Sequence, residues 1–457
     1  AAGGYGAAGA GSGSQGVNII DYDTVAEVDH ANLTAALGTV SISAQDTSSI
    51  IADVKSASVS ASLAAAGSAI AIGVSLADAT IGGNVRAAMR DSTVVAAKGL
   101  DILTTDNRYI SVVSEASSFS ASTGIGGAVS GGGASATITD RGTRQALLTG
   151  DGSQSVYLTG AARVLLTSES RLEANISASS IALGMFAIAA AGATAWVNAS
   201  GQFYARAEGV DVTAASLTVN ATRLMSSQAK VTGLSIATTM GVGASVATVN
   251  ISSDVRAYAG GAGATFSLGA LDVSARLAAQ SGRALSDVQA YASGGGLLLG
   301  VQSTNATSIN RSLVLAGLTG GNFAVSGALA VTADGSGLQY ARSRGIAGGL
   351  IGVGATDASL ISLSNVSSTV SANTTVQYAG SMKLAAAAVD ENYFDIEAGA
   401  FGLASGAAAK GTTTSNSSVF TGFLDGTSTS NRALVTVAGT LTLAATYRAM
   451  PTGILTT

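Results

Sequence analysis

The residues that could do chemistry are few and scattered. The only histidine, His30, sits in Asp29-His-Ala31, with Asp21 and Asp23 just upstream. Oxygen donors spaced this way could hold a hard cation such as calcium. A run this short reads first as an acidic turn with a solvated or capping imidazole. The densest acidic group is Asp390-Glu-Asn392 with Asp395 and Glu397, expected at an exposed corner. Asp101 and Asp272 share one place, the second residue of a recurring strand. Carboxylates on adjacent turns can act as acid and base in polysaccharide cleavage. These two lie three repeats apart, with Leu165 and Thr218 between them, so they read as outward polar positions.

Other site signatures are missing. Gly-x-Gly stretches recur without a βαβ context. There is no P-loop, no Gly-x-Ser-x-Gly elbow, no His-bearing zinc motif and no Gly-Gly-x-Gly-x-Asp calcium repeat. Asn-x-Ser/Thr sequons at Asn32, Asn175, Asn198, Asn220 and Asn250 follow from a chain rich in Asn, Ser and Thr. The sequence therefore assigns no catalytic, cofactor-binding or metal-ligating residue. It implies no cofactor and no enzyme activity.

What recurs is an element. An alternating strand appears eight times: Val40–Ala44, Leu100–Thr104, Val164–Ser168, Leu217–Ala221, Leu271–Ala275, Leu329–Ala333, Met382–Ala386 and Leu441–Ala445. Steps of 60, 64, 53, 54, 58, 53 and 59 residues give a unit of about 57. A period of that size marks stacked modules that cannot bury an apolar face alone. Each unit adds a Gly/Ala/Ser tract alternating with aliphatics, such as Gly67–Ser75, and a second strand such as Val255-Arg-Ala257. Period-2 alternation rich in Val, Ile and Thr reads as β. Asp-Gly turns occur only at Asp151, Asp334 and Asp425, which favours parallel stacking over a meander. The single proline, Pro451, leaves the preceding chain free to donate every ladder hydrogen bond.

The expected fold is thus all-β, a parallel β-helix (β-solenoid) of about seven ~57-residue repeats around a thin, Gly/Ala-rich core. Residues 1–29 read as a Gly-rich lead-in, 30–446 as the continuous body and 447–457 as a tail or junction. With about 19 residues per coil, three coils would make one repeat and the rod would be on the order of 115 Å long. Structural weight falls on the apolar anchor positions Leu217, Val219, Leu271, Val273, Leu329 and Val331.

Composition bounds the partners. Charged residues make up 11% of the chain, against roughly 25% in an average domain, and the mean hydropathy is +0.43. A net charge of −5 with only 22 Lys and Arg argues against nucleic-acid binding, which needs phosphate neutralisation. Cysteine is absent, so no disulfide staples the fold. Residues 181–200 and 231–251 carry no charge and are long enough to span ~30 Å as helices. Their Ser, Thr, Asn and Gly content, and their register with the strands, argue against membrane insertion.

The Val255-Arg-Ala-Tyr258, Leu217-Thr-Val-Asn-Ala221 and Gly243-Ala-Ser245 elements, recurring over residues 30–446, resemble the repeat regions of giant bacterial surface proteins of the haemagglutinin-like or filamentous-adhesin type. The resemblance implies a secreted parallel β-helix at the cell surface, a passenger fragment with an adhesion, sheath or filament role. Two expectations follow. One is a structural module that stacks head to tail through open ladder ends. The other is an adhesin stalk that binds carbohydrate or a host surface through inserts at residues 140–160 and 418–433.

Overall fold

The computed structural model describes residues 5–96, 98–424 and 432–457. Two sheets account for nearly all of them, and every strand pairing among the described residues is parallel. The chain runs out along a front sheet and back along a rear one, and this circuit repeats eight times. The front sheet stacks Tyr5–Ile20, Ala66–Ile81, Gly127–Asp140, Phe186–Glu208, Met240–Gly260, Leu299–Asn310, Ile351–Ser362 and Ala404–Ser415. The rear sheet stacks the long strands Thr39–Ser62, Gly99–Ser122, Ala161–Leu183 and Asp211–Ala237. It continues through Thr265–Ala279 with Ser286–Gly296, then Ala328–Gly348, Ser381–Phe401 and Leu441–Thr456.

The repeat is therefore one coil, and the expectation of three coils per repeat is wrong. The anchor strands pair directly with one another, at offsets of 60, 62, 55, 54, 58, 53 and 59 residues. Eight layers at ~4.8 Å stand about 34 Å tall, and a 24-residue strand spans about 80 Å. The body is a slab wider than it is tall, not a 115 Å rod. One anchor also shifts: Leu100 pairs with Ala162, so the third copy is Ala162–Leu166. A two-residue slip leaves the alternation of faces unchanged, which hid it from the sequence. Asp334-Gly335, read as a turn, lies inside the strand Ala328–Gly348. Asp425-Gly426 lies outside the described residues.

Residues 5–29 and 441–456 are not set apart from the body. Tyr5–Ile20 and Asp23–Asp29 pair with the second circuit, and Leu441–Thr456 pairs with Ser381–Phe401. Pro451 opposes Asn392 on this outermost strand, where a missing donor breaks no ladder bond in this chain.

Strand alternation divides the interior in two. Towards the broad edge the inward side chains are large, including Val85, Leu100, Ile102, Phe203, Phe266 and Phe323, all fully buried. Phe266 stacks on Phe323 of the next coil with centroids 4.6 Å apart. Towards the other edge the inward residues are small: Ser56, Ser58 and Ser60 on the rear sheet face Ala69, Ala71 and Ser75 on the front. There the backbones nearly touch. A Cβ added at Gly132 would sit 2.5 Å from the Ser179 carbonyl oxygen across the interior, and one at Gly243 would sit 2.3 Å from that of Ser293. Glycine is the only residue that allows this approach. The slab consequently tapers from a hydrophobic broad edge to a thin edge.

The six anchor positions are buried, at most 2% exposed. Val273 lies between Val219 and Val331, and its burial is worth about 2 kcal/mol. Val273→Asp should cost more than about 4 kcal/mol, read as a large fall in the denaturation midpoint; an unchanged midpoint would refute the packing described. Two adjacent glycines should behave oppositely. Gly132→Ala should destabilise by about 1–3 kcal/mol. Gly133→Ala, whose Cβ would meet nothing within 4 Å, should leave the thermal midpoint unchanged or raise it slightly.

Candidate functional site

Each sequence-derived candidate finds a place in the circuits. His30 is the corner residue between Asp23–Asp29 and Asn32–Ala35, with φ +48°. The same broad-edge corner is taken by Asp91 at +44°, Gly209 at +71°, Gly320 at +88° and Asn373 at +59°. These residue types tolerate left-handed backbone, so the corner geometry accounts for the lone histidine. His30 Nδ1 lies 2.9 Å from Asp29 Oδ1, and Nε2 lies 3.9 Å from Asp91 Oδ2. These three side chains gather within 4.8 Å at an exposed corner. Asp23 is occupied elsewhere, accepting from the Asn84 backbone and side-chain amides at 3.1 and 2.8 Å.

Asp101 faces outward, and its layer neighbour is Arg163 rather than Leu165. Arg163 donates to both of its carboxylate oxygens at 2.7 Å. Asp272 stands between Thr218 and Ala330, and burial raises its pKa. The structure does not bring the two carboxylates together. The Asp390–Glu397 group is no corner: it lies within the strand Ser381–Phe401. Asp390 and Asn392 point inward, whereas Asp395 accepts from Arg342 Nε at 3.0 Å and Arg344 Nη2 at 2.8 Å on the outer face. Beside that pair Tyr340 stacks on Tyr393 at 4.9 Å. The outer charges are thus spent on neighbours one layer away.

The inserts are modest. Within residues 140–160, Thr143–Thr149 and Ser155–Leu158 are regular ladder strands, so only the corner at 150–154 is extra. Ser418–Phe423 is likewise a ladder strand, and residues 425–431 lie outside the described ones. The charge-free stretches 181–200 and 231–251 are strand–corner–strand segments wrapping the thin edge. No helix among the described residues is long and apolar enough to cross a membrane.

The feature that sequence reading missed is a buried charge cluster where the apolar and small-residue halves meet. Arg108, Arg144 and Arg223 are among the largest fully buried side chains, and Asp106 and Asp140 are buried with them. Arg108 Nε donates to Asp106 Oδ1 at 2.8 Å, and Arg144 Nε to Asp106 Oδ2 at 2.9 Å. Arg144 Nη2 reaches Asp140 Oδ1 at 2.8 Å, and Arg223 Nη2 reaches Asp140 Oδ2 at 2.5 Å. Ser168 links the layers, donating to Asp106 at 2.8 Å and accepting from Arg223 at 2.7 Å. The Phe203 ring lies between the Arg144 and Arg223 guanidiniums, at 5.0 and 4.5 Å. Three guanidiniums and two carboxylates from the second, third and fourth coils thus meet in one network, with Asp46 of the first coil 3.5 Å from Arg108 Nε at its rim.

Burial alone would raise Asp140, but the guanidiniums of Arg144, Arg223 and Arg108 outweigh it and hold the carboxyl well below the usual carboxylate range. Asp106 is lowered in the same way by Arg144 and Arg108. Asp46, at the rim of the cluster beside Ser48, is raised by burial. Farther along, an amide network continues the seam. Ser308 donates to Gln339 at 2.8 Å, Gln339 to Asn392 at 3.1 Å, and Asn392 to Ser415 at 2.8 Å. With no solvent-facing surface on its charged groups, the cluster has the chemistry of a register lock. Its partners meet only when three coils are aligned.

Compared with protein-family models, curated proteins and solved structures, the chain matches none.

Stability should follow the cluster's titration. Depressed carboxylates stabilise fully above their unfolded pKa of about 4 and lose that contribution as pH falls towards their folded values. The wild-type midpoint should therefore drop below pH 4. Asp140→Asn should cost about 3–5 kcal/mol at pH 7 by stranding a guanidinium, and should flatten that acid limb. Urea melts at pH 7 and pH 2.5 check both; parallel acid limbs would remove the cluster from the account.

Proposed function

We propose that this chain is a structural module of the bacterial cell exterior, a β-solenoid that stacks head to tail in a filament, sheath or fibrous adhesin. The observation that carries the reading is the parallel ladder whose inward columns run in register through every coil. Leu441 and Leu443 continue the columns of Met382 and Leu384. At the opposite face Val40 and Ile42 hold the same columns. A second copy would continue those columns, with ladder groups meeting ladder groups in the same strand direction. Such a heterologous contact propagates as a fibre.

The composition, the eightfold repetition of one circuit and an interior that is Gly/Ala/Ser-rich towards the thin edge suit a load-bearing scaffold. The resemblance of the repeat elements to filamentous surface proteins supports an extracellular or cell-surface setting. The reading involves no enzymatic step, cofactor or nucleic acid, and no membrane insertion. An adhesin stalk that binds carbohydrate or a host surface is the second reading. It draws on the broad-edge corners, which lengthen from residues 91–92 in the second coil to 150–154 in the third.

Cryo-electron microscopy at neutral pH tests the first reading. Filaments with a ~4.8 Å layer line and a subunit repeat of about 38 Å are expected, being eight layers per copy. Leu443→Glu should abolish them while leaving the β-signal and thermal midpoint intact. Discrete wild-type particles at all concentrations would turn the assignment to the broad-edge corners.

A further inference from the structure

The thin edge is apolar on the outside as well as small on the inside. In the front sheet, the outward side chains Ile70, Ile72, Val74, Ile188, Ile351 and Val353 stand 38–49% exposed. The three outward columns nearest that edge, headed by Gly9, Gly11 and Gly13, carry no charged residue in any of the eight coils. The first charges appear in the next column, at Asp357 and Lys410 in the seventh and eighth coils. Over the first five coils the uncharged face is four columns wide. That is about 26 Å by 24 Å, or roughly 600 Å² per copy. Two such faces would bury about 1,200 Å², the lower bound for a specific interface.

The glycines of this face have no reason within the chain. Gly132 and Gly243 face inward and are forced by backbone on the opposite sheet, but a Cβ at Gly13, Gly133 or Gly192 would meet nothing within 4 Å. Glycine weakens a strand by roughly 0.5–1 kcal/mol relative to alanine, and inside a strand it often marks the close approach of another backbone. Bulk and gaps are also arranged in a definite order. The second coil presents Ile72 and Val74, and the fourth presents Ala190 and Gly192 in the same two columns. The first coil presents Gly11 and Gly13, and the fifth presents Val242 and Ala244.

We propose that this face pairs with the same face of a second copy, about a two-fold axis that runs along the strands through the third coil. The operation keeps each column and inverts the order of coils. Ile72 then meets Ala190, Val74 meets Gly192, Gly11 meets Val242, and Gly133 meets Gly133. Bulk meets gap at Ile72, Val74 and Val242, small meets small at Gly13 with Ala244 and at Gly133, and Ile70 packs on Ile188 in the neighbouring column. The contact is isologous, so it closes as a dimer. A lipid surface would account for the apolar character but has no use for paired ridges and gaps. This contact is lateral and separate from the coil ends, so it does not depend on head-to-tail stacking.

The test uses the Leu443→Glu chain, in which end-to-end growth is blocked, and follows it by sedimentation. A concentration-dependent dimer is expected. The Ile72→Glu/Val74→Glu double variant should weaken it by about 100-fold or more, since four carboxylates, two from each copy, would be buried against Ala190 and Gly192. Circular dichroism and the thermal midpoint report whether that variant stays folded. Since the chain has no cysteine, Gly133→Cys introduces a single thiol on the proposed axis. Mild oxidation should link it to a dimer at least ten times faster than Gly192→Cys, whose counterpart faces Val74. A strict monomer up to 100 μM would overturn the proposal, as would equal cross-linking at the two positions. Co-sedimentation with neutral phosphatidylcholine vesicles that the double glutamate abolishes would overturn it in favour of a lipid partner.

Discussion

Everything in this structure depends on parallel, in-register hydrogen bonding between one circuit of the chain and the next. An interior coil has no free edge, because each strand is paired above and below. The ladder tolerates extra residues only where the chain leaves it, at the corners and at the break 280–285 within the rear sheet. That is why the strand columns hold register through eight layers while the offset per coil ranges from 52 to 62 residues. Variation in length falls at corners such as 150–154 and 261–264, and at 280–285, where the chain leaves the rear sheet between Thr265–Ala279 and Ser286–Gly296. The ladder itself says little about which residues must fill it, so identity is decided by what the two sheets find between them.

Between the sheets two solutions coexist. Near the broad edge, large aliphatic and phenyl groups keep the backbones apart and supply hydrophobic stabilisation. Near the thin edge, Ser, Ala and Gly let backbone meet backbone, where dispersion and tight packing act over a small apolar area. The charge cluster sits at the seam. A lone buried arginine there would be costly, but Arg108, Arg144 and Arg223 are set against Asp106 and Asp140, with Asp46 at the rim. A coil displaced by one residue would turn Asp106 or Arg144 to the solvent face and strand its partners. The cluster thus penalises the slipped alignment that a repetitive, low-complexity ladder would otherwise allow.

Much of the β character was legible in the chain. Alternation in Leu217–Ala221 and Leu271–Ala275 identified strands, and their inward Leu and Val are buried. The period also located direct neighbours, apart from the two-residue slip at Ala162. The number of coils per period was not legible, since thin-edge corners such as Gly184-Met185 and Thr238-Thr239 have the composition of the strands they join. The cluster was hidden for a different reason. Asp106, Arg108, Asp140, Arg144 and Arg223 span 118 positions of sequence and converge only once the coil length is known. One signal was present, for Asp106-Asn-Arg108 and Asp140-Arg-Gly-Thr-Arg144 interrupt otherwise apolar alternation with charges of both signs.

The charge-free stretches show how one pattern can mislead and inform together. Residues 181–200 have the length and hydropathy of a membrane helix because, in this coil, the end of the rear strand and the whole start of the front strand carry no charge. Small residues face inward there because the sheets touch. Nothing inside the chain demands that the outward alternates of the front sheet be Ile, Val and Gly in place of the Asp, Arg, Tyr and Thr found on the outer face of the rear sheet. A solvated face would take the polar ladder seen at Tyr340, Arg342 and Asp395, which adds stacking and ion pairs between layers at no cost in solubility. The departure from that solution, confined to the front sheet beside one edge and varied in bulk from coil to coil, is best accounted for by a surface that this face is built to meet.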